Sequence, residues 1–178
     1  MNNNILKEVS VESSAKQEFA QYGVSDNTIS RLMTAGVVLL PDIQREGIQT
    51  FHIGFDEFYS YCKANNIDIE VCAEGNPNVI ELCSSEIRLG RIFVSAIVLP
   101  LLLNVMGNYI YQKISDATPQ KPQTIVQEYQ AEPTVSFTLA IEDSCGVIKK
   151  EYSYEGPAKD INEVTKHIEN LWNDSTIK

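Results

Sequence analysis

General acid–base chemistry near neutral pH falls mainly to histidine, and the chain has two, His52 and His167. His167 lies beside an apolar stripe at helical spacing, where an exposed or half-buried structural side chain is expected. His52 follows Phe51 near an expected strand and also reads as structural. Cys62 and His52 flank one expected helix start. They form a conceivable nucleophile–base pair, but no third group is at hand to orient the base. The four cysteines, Cys62, Cys72, Cys83 and Cys145, lack the close spacing of a metal knuckle or a redox Cys-x-x-Cys. They are expected to be reduced and mostly buried as small hydrophobes. Cys72 and Cys83 end two apolar stretches whose pairing would allow a disulfide.

The familiar phosphate-binding and hydrolytic patterns do not occur: no Gly-x-Gly-x-x-Gly, Gly-Lys-Ser/Thr, His-Glu-x-x-His or Gly-x-Ser-x-Gly. No Asp or Glu stands two residues before a Lys, which removes the carboxylate-x-Lys arm of metal-dependent nucleases. Neither a cofactor nor a metal is expected. Asp42, Asp56 and Glu57 are the acidic residues nearest the middle of the first half. Adjacent helix positions point about 100° apart, so Asp56 and Glu57 read as favourable charges in a first turn. Arg88 and Arg91, three apart, are expected on one helix face, where they could contact an anionic ligand or a partner carboxylate. A solvated helix start is the plainer reading. Phe55, Phe58, Tyr59 and Tyr61 read as core first and as partner surface second.

These residues need elements to hold them. Residues 5–22 have good helix formers and spaced apolar positions, and Gly23 stops the run. Ser25 reads as the N-cap of a short helix through Ile29, Leu32 and Met33, ended by Gly36. Val37-Val38-Leu39-Leu40 reads as a strand. Residues 55–65 read as a helix. Residues 67–72 alternate strictly, the turn-rich 74–78 follow, and 79–83 return, so a β-hairpin is expected over 67–83.

Residues 92–112 contain no charge, and 92–103 are apolar but for Ser95 and Pro100. Their mean hydropathy reaches the range of membrane spans. Against a span stand Pro100, Gly107 and the pair Asn104 and Asn108, which share a helix face. Two readings follow for residues 92–111: a buried central or oligomer-interface helix, and a single membrane span. Residues 115–133 carry Pro119, Pro122 and Pro133 and read as a linker, with an edge strand admitted over 124–129. Beyond it, Val135, Phe137, Leu139 and Ile141 alternate with Ser136, Thr138 and Ala140, Asp143-Ser144-Cys145-Gly146 turns, and 147–154 return. Gly156-Pro157 then opens a helix lined by Ile161, Val164, Ile168, Leu171 and Trp172. So small a ββα unit should dock on the first part or on a partner.

The expected fold class is therefore mixed α+β. It comprises a small α/β N-terminal domain with a β-hairpin (1–91), a long apolar central helix (92–115), a proline-containing linker (116–133) and a C-terminal ββα unit (134–178). An apolar fraction of 43% is enough for a core and excludes global disorder. With 14 basic against 24 acidic residues and a net charge of −10, general nucleic-acid binding is excluded. Residues 1–8 lack a basic segment followed by an apolar run, so no secretory signal is expected.

The expected function is that of a non-catalytic, acidic, intracellular subunit or adaptor acting through protein association. The partner contacts would be Leu101, Leu102, Asn104, Asn108, Tyr111 and Trp172, with Arg88 and Arg91 as anion contacts. Accessory, antitoxin and immunity-type proteins of bacterial defence systems share this size and acidity, an analogy carried by no particular residue. The alternatives are a single-span inner-membrane protein using 92–111 and an enzyme with an unrecognised site. A cytoplasmic location goes with the first reading.

Overall fold

Residues 5–14 pair as a strand instead of coiling. The computed structural model describes residues 5–43, 48–80, 86–117, 132–143 and 145–176. Within it, β1 (Ile5–Ser14) occupies most of the stretch expected to be helical, and only α1 (Ala15–Ala20) coils. Val9, Ser10, Val11, Ser13 and Ser14 are poor helix formers, so local preference is weak. Antiparallel pairing with β9 (Val147–Pro157) then decides, with Glu8 on Lys150 and Glu12 on Lys149 across the ladder.

In chain order there follow α2 (Asp26–Leu32), β2 (Val37–Leu40), β3 (Asp42–Ile43), β4 (Gln49–His52), α3 (Phe55–Ala64), β5 (Ile69–Val71) and β6 (Val79–Ile80). Then come β7 (Glu86–Ser95), α4 (Leu99–Ala117), β8 (Thr134–Glu142), β9 and α5 (Ile161–Thr176). The fold is mixed α+β, as expected, with a strand–strand–helix unit at its C-terminal end. Ser25 caps α2 by accepting from the Thr28 amide. Asn66, at φ 60°, ends the chain's turn out of α3.

The main sheet runs β1-β9-β8-β7-β2-β5, so it draws strands from both sides of the central helix. A small second sheet runs β3-β4-β6. The N-terminal part does contain a hairpin, but it is β3–β4. The hairpin expected over 67–83 is corrected: β5 pairs parallel to β2, and β6 parallel to β4. Strict alternation revealed a strand at 69–71 without revealing its neighbour. Cys83 and residues 124–129 lie outside the described residues. Cys62 and Cys72 are buried free thiols, and Cys145 is exposed.

The uncharged stretch from residue 92 divides between two elements, correcting the continuous helix expected over 92–115. Ile92, Phe93 and Val94 finish β7, a turn intervenes, and α4 starts at Leu99. β7 lies between β2 and β8, and both of its faces are covered at that end. Ile92 and Val94 pack towards α4, while Phe93 meets the Phe19 ring edge-on at 5.0 Å. A strand buried on both faces reads as continuously apolar, and joined to a helix it mimics one long span. Among the described residues no helix is long and apolar enough to cross a membrane.

Two cores sandwich the sheet. α3, α4 and α5 cover one face, with Phe58, Leu102, Met106, Ile168 and Trp172 against Leu39, Phe137, Leu139 and Tyr152. α1 and α2 cover part of the other, through Phe19, Ile29 and Leu32 against Val38, Phe93 and Ala140. The β8–β9 hairpin turns at Asp143, whose Oδ1 accepts from the amides of Cys145 (2.9 Å) and Val147 (3.2 Å). Those donors, the Cys145 amide foremost, hold its carboxyl below the usual range. Phe137, Leu139, Ile168 and Trp172 are buried in one cluster, as their two periodicities require.

Candidate functional site

Arg88 and Arg91 stand on a strand, not on the helix start expected for them, and a regular strand would point them to opposite faces. The ladder to β8 shifts between Arg88 and Gly90, with Gly90 at φ +69°. Arg88 therefore sits opposite Ser136 and Arg91 opposite Thr138, two positions apart on one face. The sequence reading put the pair on a shared face for the wrong structural reason.

That face is the half of the sheet that α1 and α2 leave open. It floors a cavity of about 400 Å³ lined by Lys7, Arg88, Arg91, His52, Asp42 and Glu155, with the hydroxyls of Ser136, Thr138 and Ser153. Thr138 and Ser153 hydroxyls lie 2.9 Å apart. Arg88 Nε donates to Glu86 Oε2 at 2.6 Å. Arg91 Nη1 meets Glu18 Oε1 at 2.6 Å, and Nη2 donates to Glu151. Burial pushes the Tyr22 phenol up, with Arg91 acting against that rise. Both guanidinium groups are thus held by carboxylates of this chain, and Arg91 by two. The cavity is mixed in charge and suits hydrogen bonding better than capture of a free anion.

Gly90 makes this geometry. A Cβ there would find only His52 Cδ2, at 4.0 Å, so space is open and the conformation is the obstacle. Gly90→Ala should cost about 1–2 kcal/mol through the left-handed backbone alone. Urea denaturation of the two proteins would measure it, and an unchanged midpoint would show that the bulge relaxes freely.

The conceivable catalytic pair is not assembled. His52 Nε2 lies 2.5 Å from Asp42 Oδ2 at the cavity rim. Cys62 is fully buried in the α3–α4–α5 core, where burial pushes its thiol up to about 12, far from a reactive thiolate. The contact of His52 with Asp42 was not foreseen, because β3–β4 pairing was not legible across residues 44–47. Among the described residues no group of three His, Cys, Asp or Glu side chains is placed to hold a metal. His167 is exposed on α5.

The expected partner contacts divide. Leu102 is fully buried in the core and so is not an accessible contact, while Trp172, 9% exposed, is buried in the cluster expected for it. Leu101 (46% exposed), Asn104, Asn108 and Tyr111 (64% exposed) form one stripe along the outer face of α4. Asn108 Nδ2 donates to Asn104 Oδ1 at 3.2 Å within it. Ile97, in the turn just before α4, is 84% exposed and was missed, since its environment depended on where the helix began. A groove of about 430 Å³ runs beside the stripe along α3, and one of about 360 Å³ along α5. Of the aromatic set, Phe58 is core, while Phe55, Tyr59 and Tyr61 are partly buried against it. Glu57 pairs with Lys113 across the α3 groove.

No family model matches the chain, and no curated protein or solved structure matches it.

Proposed function

We propose that this chain is a cytoplasmic, non-catalytic association protein that pairs through the outer face of α4. The observation that carries the proposal is the stripe itself: Leu101 and Tyr111 exposed on either side of an Asn104–Asn108 pair, with no charge among them. An exposed apolar stripe centred on a polar pair is the pattern of a helix interface that specifies register. The stripe is also self-complementary. Leu101 and Tyr111 lie equally far on either side of Met106, and so do Asn104 and Asn108. Two copies crossing antiparallel at that level would set Leu101 on Tyr111 and Asn104 beside Asn108, twice over. An uncharged seam also avoids bringing together like charges from two chains of net charge −10. The buried free thiols Cys62 and Cys72 suit a reducing compartment.

Light scattering on the purified chain should give twice the monomer mass. Leu101→Asp with Tyr111→Asp should return it to monomer while far-UV circular dichroism stays unchanged. A wild-type monomer at high concentration would overturn the pairing, and so would a double variant that remains dimeric.

A further inference from the structure

β1 ends the main sheet, and among the described residues no strand covers its outer side. Alternate backbone N–H and C=O groups of an edge strand point outward, ready for another chain. The ladder to β9 is regular from Ile5 to Ser10 and then shifts, so a six-residue unbulged edge is on offer. On the face shared with the polar cavity, that edge presents Ile5 and Val9, 47% and 54% exposed, with Lys7 between them. Lys7 has no ion pair among the described residues. On the opposite face Glu8 is already engaged by Lys150, and Leu6 packs on the core.

We infer that β1 is a docking edge for an extended acidic segment of a different protein, added as a seventh strand. Its side chains on the cavity face would alternate apolar, acidic, apolar against Ile5, Lys7 and Val9. The charges argue against a second copy as occupant. Residues directly opposite in an antiparallel pair share a face, so residues 5–10 of two copies have two registers that pair five residues each. One sets Lys7 against Lys7 of the other copy, and the other sets Glu8 against Glu8. Like charges directly opposite weaken a pair, whereas a carboxylate opposite Lys7 strengthens it. Main-chain bonding supplies affinity, and the side-chain alternation supplies specificity. The edge is separate from the α4 stripe, so the chain would join two associations, as an adaptor does.

The test uses the full chain and two synthetic nine-residue peptides with threonine at every odd position. One carries valine and glutamate by turns at the even positions and the other valine and lysine, so that one face alternates as proposed. Fluorescence polarisation should show the glutamate peptide binding about tenfold tighter than the lysine peptide. Lys7→Glu, an exposed change, should reverse that order with an unaltered melting curve. The glutamate peptide should also slow amide hydrogen exchange within residues 5–10. Leu101→Asp with Tyr111→Asp should bind the peptides as wild type does, which separates this inference from the α4 proposal. Binding of neither peptide, equal binding of both, or an unchanged preference in Lys7→Glu would overturn the acidic-strand assignment. A dimer of the α4 double variant that Lys7→Glu disperses would overturn it in favour of a second copy.

Discussion

Trp172→Ala is expected to destabilise the protein by about 3–5 kcal/mol, the range for emptying a large aromatic site in a core. Trp172 belongs to the cluster that joins α5 to Phe137 and Tyr154 on the sheet and to α4. Truncation to Ala removes the ring and leaves its neighbours in the core facing a void. The effect should reach the whole chain, because β8 lies between β7 and β9 near the middle of the main sheet. Unfolding should therefore remain one transition at a lower urea midpoint, not a separate loss of the C-terminal unit. Trp172 is the only tryptophan, so circular dichroism must be the probe in the variant. A loss below about 1 kcal/mol would be that of a surface side chain and would sink the packing argument.

The C-terminal unit was legible because each of its elements is one-sided. Val135, Phe137 and Leu139 face a core and their neighbours do not, so period two survives in the sequence. α5 likewise turns Ile161, Val164, Ile168 and Trp172 inward at helical spacing. The failures came where burial is absent or complete. β1 is an edge with mostly exposed side chains, so its sequence carries weak alternation, and the neighbouring β9 imposes its form. The end of β7 is covered on both faces, so Ile92, Phe93 and Val94 show no period and merged with α4. The polar cavity was illegible for another reason. It depends on one left-handed glycine and on strands from four separate stretches of chain, and no local pattern records such meetings. The α4 stripe was half legible: the shared face of Asn104 and Asn108 follows from spacing, but which side met the core did not.

Arg91 should prove as important to stability as Trp172, through charge instead of volume. Its guanidinium bridges Glu18 on α1 and Glu151 on β9, and Glu18 is only 7% exposed. Arg91→Met keeps the bulk of the stem and removes the charge, leaving two carboxylates near one another with nothing between them. Breaking a buried pair by deleting one partner costs about 3–5 kcal/mol, because the stranded charge stays desolvated. Most of that loss belongs to the abandoned carboxylates, not to the vanished attraction. Arg91→Met combined with Glu18→Gln and Glu151→Gln should therefore recover more than half of it, although both ion pairs are gone. Arg91→Lys should fall between, since an ammonium lacks the planar fork that reaches both carboxylates at once. α1 packs on the sheet through Phe19, and Arg91 ties Glu18 of the same helix to the strands. In Arg91→Met, amide exchange in α1 should accordingly rise before exchange in α4 or α5. Urea titrations of the four proteins decide the matter. If the triple variant is less stable than Arg91→Met, the carboxylates are not the source of the penalty, and the bridge is better understood as an ordinary surface ion pair.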